Sequence, residues 1–188
     1  MAGRPLLVLH DLYPDKSAED CEKLALKLSE KRTVYTMDLL GCGRSAKPAV
    51  TYSNFLYVLQ VIECVKLIGQ PVHLVAEGRS SMIAMAAAHY MPESFSCITL
   101  LHPVHERECR RIPDLRSRLI KKLIELPVIG TLAYHIMFSD SAAAHMGGFH
   151  ARYLYASILG GYTNQDVKWM LKDMKVPVHV IDMSEKGQ

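Results

Sequence analysis

No two cysteines of this chain are spaced as Cys-x-x-Cys, and the five present, Cys21, Cys42, Cys64, Cys97 and Cys109, are odd in number. A disulfide framework and a zinc site of ordinary spacing are therefore not indicated. Scattered free thiols suit a reducing compartment, so the expected location is the cytoplasm. Nowhere do six like charges follow one another, and a net charge of +3 is too small to point to a nucleic-acid partner. No stretch is long enough to span a bilayer: the longest apolar run, 126–138, contains Pro127, Gly130 and His135. The run from Leu6 to Leu9 is too short for the core of a signal sequence, and no cleavage site follows it. Internal repeats and low-complexity linkers are lacking too, which leaves a single domain, 1–188. No His, Asp and Glu residues have convincing metal-ligand spacing. His145 and His150 come nearest, five apart with glycines between them, so neither metal nor cofactor is expected.

What is present is an ordinary globular mix, 49% hydrophobic and 22% charged. Short apolar runs alternate with helix-period segments, the pattern of a parallel sheet with crossover helices. The runs 5–10, 33–37, 71–75, 95–101 and 176–181 read as five strands. Ser17 with Asp20 forms a capping-box pair ahead of a helix whose inner face is Cys21, Leu24, Ala25 and Leu28. A second helix, 53–68, is expected to bury Phe55, Leu59, Ile62 and Val65. The small, apolar segment 82–90 suits a helix lying close on a sheet. Asn164 can cap a last helix with Val167, Met170, Leu171 and Met174 on one face.

Between the fourth and fifth strands the rhythm breaks. Residues 104–162 read as an insertion containing a basic amphipathic helix, with Leu115, Leu119 and Leu123 inward and Arg116, Arg118, Lys121 and Lys122 outward. With Arg110 and Arg111, these charges flank apolar residues up to 138, a composition that also occurs in helices lying on membranes. A helix with a solvated basic face is the preferred reading, and membrane association is not expected.

Three motifs follow one another at regular spacing. Leu-Val-Leu-His-Asp-Leu stands at 7–12. Asp38-Leu39-Leu40-Gly41-Cys42-Gly43-Arg44-Ser45 follows, with Pro48 behind it. Then Pro71-Val72-His73-Leu74-Val75 leads through a tight turn into Met82-Ile83-Ala84 and on to Pro92-Glu93. Together they resemble the α/β-hydrolase family: its strand with the oxyanion loop, its Asp-x-x-Gly-x-Gly-x-Ser turn, and its nucleophile elbow. Residues 100–103 match the next strand end, and 112–138 resembles the family's lid. The resemblance implies a doubly wound parallel sheet of order 2-1-3-4-5 that begins at the family's third strand and ends just after its seventh. Ligands of such sheets bind at the switch point. Here that crevice is bounded by His10, Asp11 and Leu12 on one side and the 76–81 turn, with Glu77, Arg79 and Ser81, on the other.

The elbow reads in two registers. Counting without gaps from Leu74-Val75 forward and from Met82-Ile83-Ala84 back puts Gly78 at the nucleophile position, where it has no side chain to attack with. A shift of two residues makes Ser80 the nucleophile of a Gly-x-Ser turn, with Met82 crowding the place of a second glycine. Otherwise Ser80 and Ser81 lie in the first turn of the helix and bond its free N–H groups. By resemblance the acid is Glu185, with Asp182 nearby. The family's histidine follows one further strand, beyond Gln188. His10, His102, His105, His145 or His150 could only substitute for it. Two functions follow. One is hydrolysis of an ester or small apolar acyl substrate at Ser80, with the N–H groups of Leu12 and of the residue after the serine as oxyanion donors. The other is a non-catalytic member, a pseudoenzyme, that binds or scaffolds with the same crevice. The strand 176–181, as an apolar edge, is expected to pair with a second copy.

Overall fold

The computed structural model describes residues 3–109, 112–146 and 149–182. Its strands are β1 (Leu6–Leu9), β2 (Val34–Met37), β3 (Val72–Glu77), β4 (Phe95–Leu101) and β5 (Val178–Ile181). Three helices precede β4: α1 (Glu22–Ser29), α2 (Asn54–Ile68) and α3 (Ser80–Tyr90). Between β4 and β5 lie α4 (Glu106–Cys109), α5 (Leu115–Glu125), α6 (Ile129–Met137), α7 (Ala142–His145), α8 (Arg152–Leu159) and α9 (Val167–Lys172). The sheet has the order β2-β1-β3-β4-β5, and every neighbouring pair is parallel. The expected topology is therefore the observed one, with the switch point between β1 and β3.

Side-chain alternation explains why β1 is buried throughout. Leu7 and Leu9 join the large core with α2, α3, Leu154 and Met170, while Leu6 and Val8 pack on the opposite face with Cys21, Val75 and the half-buried Leu24 and Leu28 of α1. The Ser17 N–H donates to Asp20 at 2.8 Å, so the start of the first helical segment is held as its capping residues suggest.

Three expectations are corrected. In α2 the buried residues are Tyr57, Val58, Val61, Ile62 and Val65, while Phe55 and Leu59 face outward. Ile62 and Val65 lie on the buried face as expected, but that face continues through Tyr57, Val58 and Val61, while Ser53 Oγ accepts the Leu56 N–H at the helix start. Asn164 does not cap the last helix; Asp166 does, accepting the Lys168 N–H at 3.0 Å. In α5 it is Ile124, with the half-buried Ile120, that packs inward against Tyr134, Phe138 and Tyr155, and Leu115, Leu119 and Leu123 are exposed.

Candidate functional site

The switch-point crevice is built by two strand ends. After β1 the chain turns through His10, Asp11 and Leu12. His10 is fully buried, and its ring is used on both sides: Nε2 accepts the Leu39 N–H at 3.1 Å, which leaves Nδ1 as the protonated nitrogen that donates to the Asp11 carbonyl at 2.7 Å. Burial lowers its pKa, against the smaller opposing effects of the Asp11 hydrogen bond and of Asp38, Asp20 and Asp11. A neutral imidazole with both nitrogens engaged ties β1 to the loop after β2. Leu12 is buried in the core and does not line the crevice with its side chain.

After β3 the chain turns sharply at Gly78, whose φ is +55°, and enters α3 at Ser80. Glu77 is the half-buried last residue of β3, opposite Leu101, and the Gly78 N–H donates to the Leu101 carbonyl at 3.0 Å. This is the strand-turn-helix shape of an elbow, and the residue at its apex with positive φ is Gly78. A Cβ on Gly78 would overlap Cγ and Oδ1 of Asp11 and come within 2.8 Å of Oδ2. The Asp11 carboxylate therefore fills the space that a nucleophile side chain on residue 78 would occupy. It also takes the backbone donor there: the Arg79 N–H donates to Asp11 Oδ1 at 2.7 Å.

Ser80 lies elsewhere. Its side chain is fully buried in the first turn of α3, and Oγ donates to the His10 carbonyl at 2.5 Å. Ser81 Oγ donates to the Gly78 carbonyl at 2.6 Å, and the Ser81 N–H points to the same oxygen at 3.2 Å. Both hydroxyls thus bond carbonyls of the crevice turns and not, as expected, the N–H groups of the helix. The Ser81 N–H, the oxyanion donor that the shifted register requires, is engaged too.

Glu185 lies outside the described residues. The carboxylate that the structure does place beyond β5 is Asp182, whose Oδ1 is 3.8 Å from Nδ1 of His102. His102 follows β4 directly and has a positive φ of 45°. This pair was missed as a pair, although the sequence held a signal for it: each residue comes immediately after one of two adjacent parallel strands, and the register sets Leu101 opposite Ile181. The histidines of the insertion are engaged elsewhere. His135 and His145 meet through their Nδ1 atoms at 2.7 Å, and His150 stacks on Tyr153. Among the described residues, no three His, Cys, Asp or Glu side chains are placed to share a metal ion.

Above the elbow a cavity of about 140 Å³ is lined by Tyr13, Arg79, Glu108, Ser117, Tyr155 and Asn164, among others. Arg79 Nη1 donates to Asn164 Oδ1 at 3.3 Å. Burial, with Tyr155 next to it, pushes the Tyr13 phenol well above its ordinary range, so the hydroxyl stays protonated. The crevice thus offers a guanidinium, one carboxylate, two phenols, a hydroxyl and an amide within a small volume. That is equipment for holding a polar group, and the serine it includes is Ser117 of α5, neither Ser80 nor Ser81.

A family model described as the α/β hydrolase fold matches residues 5–117. Among solved structures, the chain is similar to a hydrolase from Pseudomonas aeruginosa (TM-score 0.72, 15% identity, 95% of this chain and 71% of that one). It is also similar to the enol-lactonase from Burkholderia xenovorans (TM-score 0.71, 15% identity, 96% of this chain and 73% of that one). A third is the thioesterase domain from the curacin biosynthetic pathway (TM-score 0.66, 18% identity, 95% of this chain and 74% of that one). At such identities the likeness speaks for the fold. No curated protein sequence matches the chain.

Proposed function

We propose, for a chain that belongs to the α/β-hydrolase fold family, that its crevice binds a small polar ligand and does not carry out serine acyl transfer. One observation carries this reading: the Asp11 carboxylate occupies the nucleophile's place at Gly78 and accepts the Arg79 N–H. A tetrahedral intermediate needs both a nucleophile and free N–H donors at that spot. Here a fixed negative charge would repel the developing oxyanion. The 140 Å³ crevice is also below the several hundred cubic ångströms that a larger ligand needs, and its polar lining favours a polar ligand over an apolar acyl chain.

A second reading, hydrolysis of a small ester, is favoured by the His102–Asp182 pair. A carboxylate beside an imidazole is the arrangement that orients a general base, and a base of this kind could activate water directly.

The deciding experiment is exposure to a fluorophosphonate probe with peptide mass spectrometry, alongside hydrolysis of p-nitrophenyl acetate by the unaltered chain, Ser80→Ala and His102→Ala. The expected result is no label on Ser80 and equal background turnover in all three. Stoichiometric labelling lost in Ser80→Ala would restore the shifted register and overturn the proposal. Turnover lost only in His102→Ala would establish the second reading.

A further inference from the structure

Exposed apolar side chains are concentrated in one part of this molecule. Among the described residues, ten of the 22 exposed large hydrophobics fall between 112 and 137, in α5, α6 and their flanks. Ile112, Leu115, Val128 and Ile136 are 78, 73, 80 and 68% exposed. These side chains are not scattered at random. In α5 successive residues turn by about 100°, so Leu115, Leu119 and Leu123 form one stripe, away from the buried Ile124 and the half-buried Ile120. Arg116 and Lys122 fall on either side of the stripe. Both are exposed. Lys121, on the far side, is paired with Glu125 at 2.6 Å.

Charge is concentrated on one of the two helices. Within the patch the charge sits on α5, where Arg116, Arg118, Lys121 and Lys122 stand against Glu125 alone, a net +3 that equals the total of the whole chain. A helix that carries both an exposed leucine stripe and an excess of cations matches one kind of partner. Apolar side chains enter the acyl boundary while the flanking cations meet anionic headgroups. No helix among the described residues is long and apolar enough to cross a membrane, so contact would be in the plane of the interface.

We infer that the α5–α6 surface docks on an anionic lipid bilayer. Leu115, Leu119, Val128 and Ile136 insert, and Arg116 and Lys122 bind the headgroups. The expectation of a merely solvated basic helix depended on the leucines facing inward, and they do not. A second copy of the chain, the other occupant an apolar face could have, would bring two cationic patches together, and this disfavours it.

The test is co-sedimentation of the whole chain with vesicles of phosphatidylcholine alone and of phosphatidylcholine mixed with phosphatidylglycerol, at low and at high salt. Binding is expected to the mixed vesicles, with loss at high salt and little binding to phosphatidylcholine alone. Each cation near such a surface is worth a factor of about five, so the double variant Arg116→Gln/Lys122→Gln should bind about 25-fold more weakly. Val128→Ser/Ile136→Ser should remove binding while leaving circular dichroism unchanged, because both side chains are already exposed. Absence of binding to the mixed vesicles, or equal binding to both kinds, would overturn the inference. So would sedimentation equilibrium showing a dimer that Val128→Ser/Ile136→Ser dissociates, which would put a second copy on this face.

Discussion

Two glycines of this chain each face a carboxylate at a place where a side chain would collide with it. Gly43, with φ +44°, lies against Asp38, whose two oxygens accept the N–H groups of Ala18 and Arg44; Gly78 lies against Asp11 in the same way. In each case the glycine supplies both the left-handed backbone and the room for the acid, so the two residues act as a unit. Gly78→Ser should therefore cost more than the roughly 1–2 kcal/mol of left-handed strain, because the new side chain must displace the Asp11 carboxylate. In an Asp11→Ala background that additional cost should vanish. A double-mutant cycle measured by urea unfolding is expected to give a coupling of about 1–3 kcal/mol. Additive costs would mean that Asp11 swings aside without penalty and that the elbow can accept a nucleophile. The sequence shows half of this unit. Gly78 is placed by its neighbours Leu74, Val75, Met82 and Ile83. Asp11 meets the elbow 68 positions earlier in the chain than Arg79, and no local pattern encodes that contact. Ser80 is the converse: a hydroxyl beside an elbow looks reactive in sequence, but the first turn of α3 points it down to the His10 carbonyl.

At the scale of elements, strand existence and order were legible because buried parallel strands read as short continuous apolar runs, and the motif spacing fixed their succession. Helix faces were less so. Both α2 and α5 carry two apolar stripes, and periodicity identifies stripes without saying which one the protein buries. In α5 the shorter stripe, Ile120 and Ile124, is the one that fits between Tyr134 and Tyr155, so the longer leucine stripe is left outside. β5 poses an element-scale question of its own. Among the described residues it pairs only with β4; Val180 and Ile181 are 60 and 47% exposed. Beside it a hollow of about 490 Å³ is lined by Leu6, Leu24, Leu28, Val75, Leu101 and Ile181, among others. An apolar, unpaired edge next to an apolar hollow is a template for strand pairing. We therefore expect the apparent mass in light scattering to rise with concentration, and Val180→Lys, which places a charge on the edge, to lower it. A concentration-independent monomer would exclude pairing through β5.

For the molecule as a whole, the crevice is also a joint of the fold, so its protonation state should register in global stability. His10 fastens the end of β1 to the loop after β2 by accepting the Leu39 N–H. Protonation would turn that acceptor nitrogen into a donor facing another donor, in a site fully shielded from water. Its pKa in the fold is lowered from the ordinary 6.5 chiefly by burial, and half-buried His73 is shifted in the same direction by burial, Arg32 and His179. The unfolded chain therefore takes up protons on these rings at a higher pH than the folded one does. Stability is complete above about pH 6.5 and falls as pH drops below it toward the folded pKa, because the unfolded state then binds more protons. The melting temperature is expected to decline between about pH 7 and pH 5, above the range where most carboxylates titrate. In His10→Gln, whose amide oxygen can accept the Leu39 N–H and does not titrate, the melting temperature at pH 7 should be lower but the decline shallower. An equally steep decline in that variant would move the acid-sensitive joint away from the crevice and toward His73 on β3, where the imidazole meets Thr99 across the sheet at 2.8 Å.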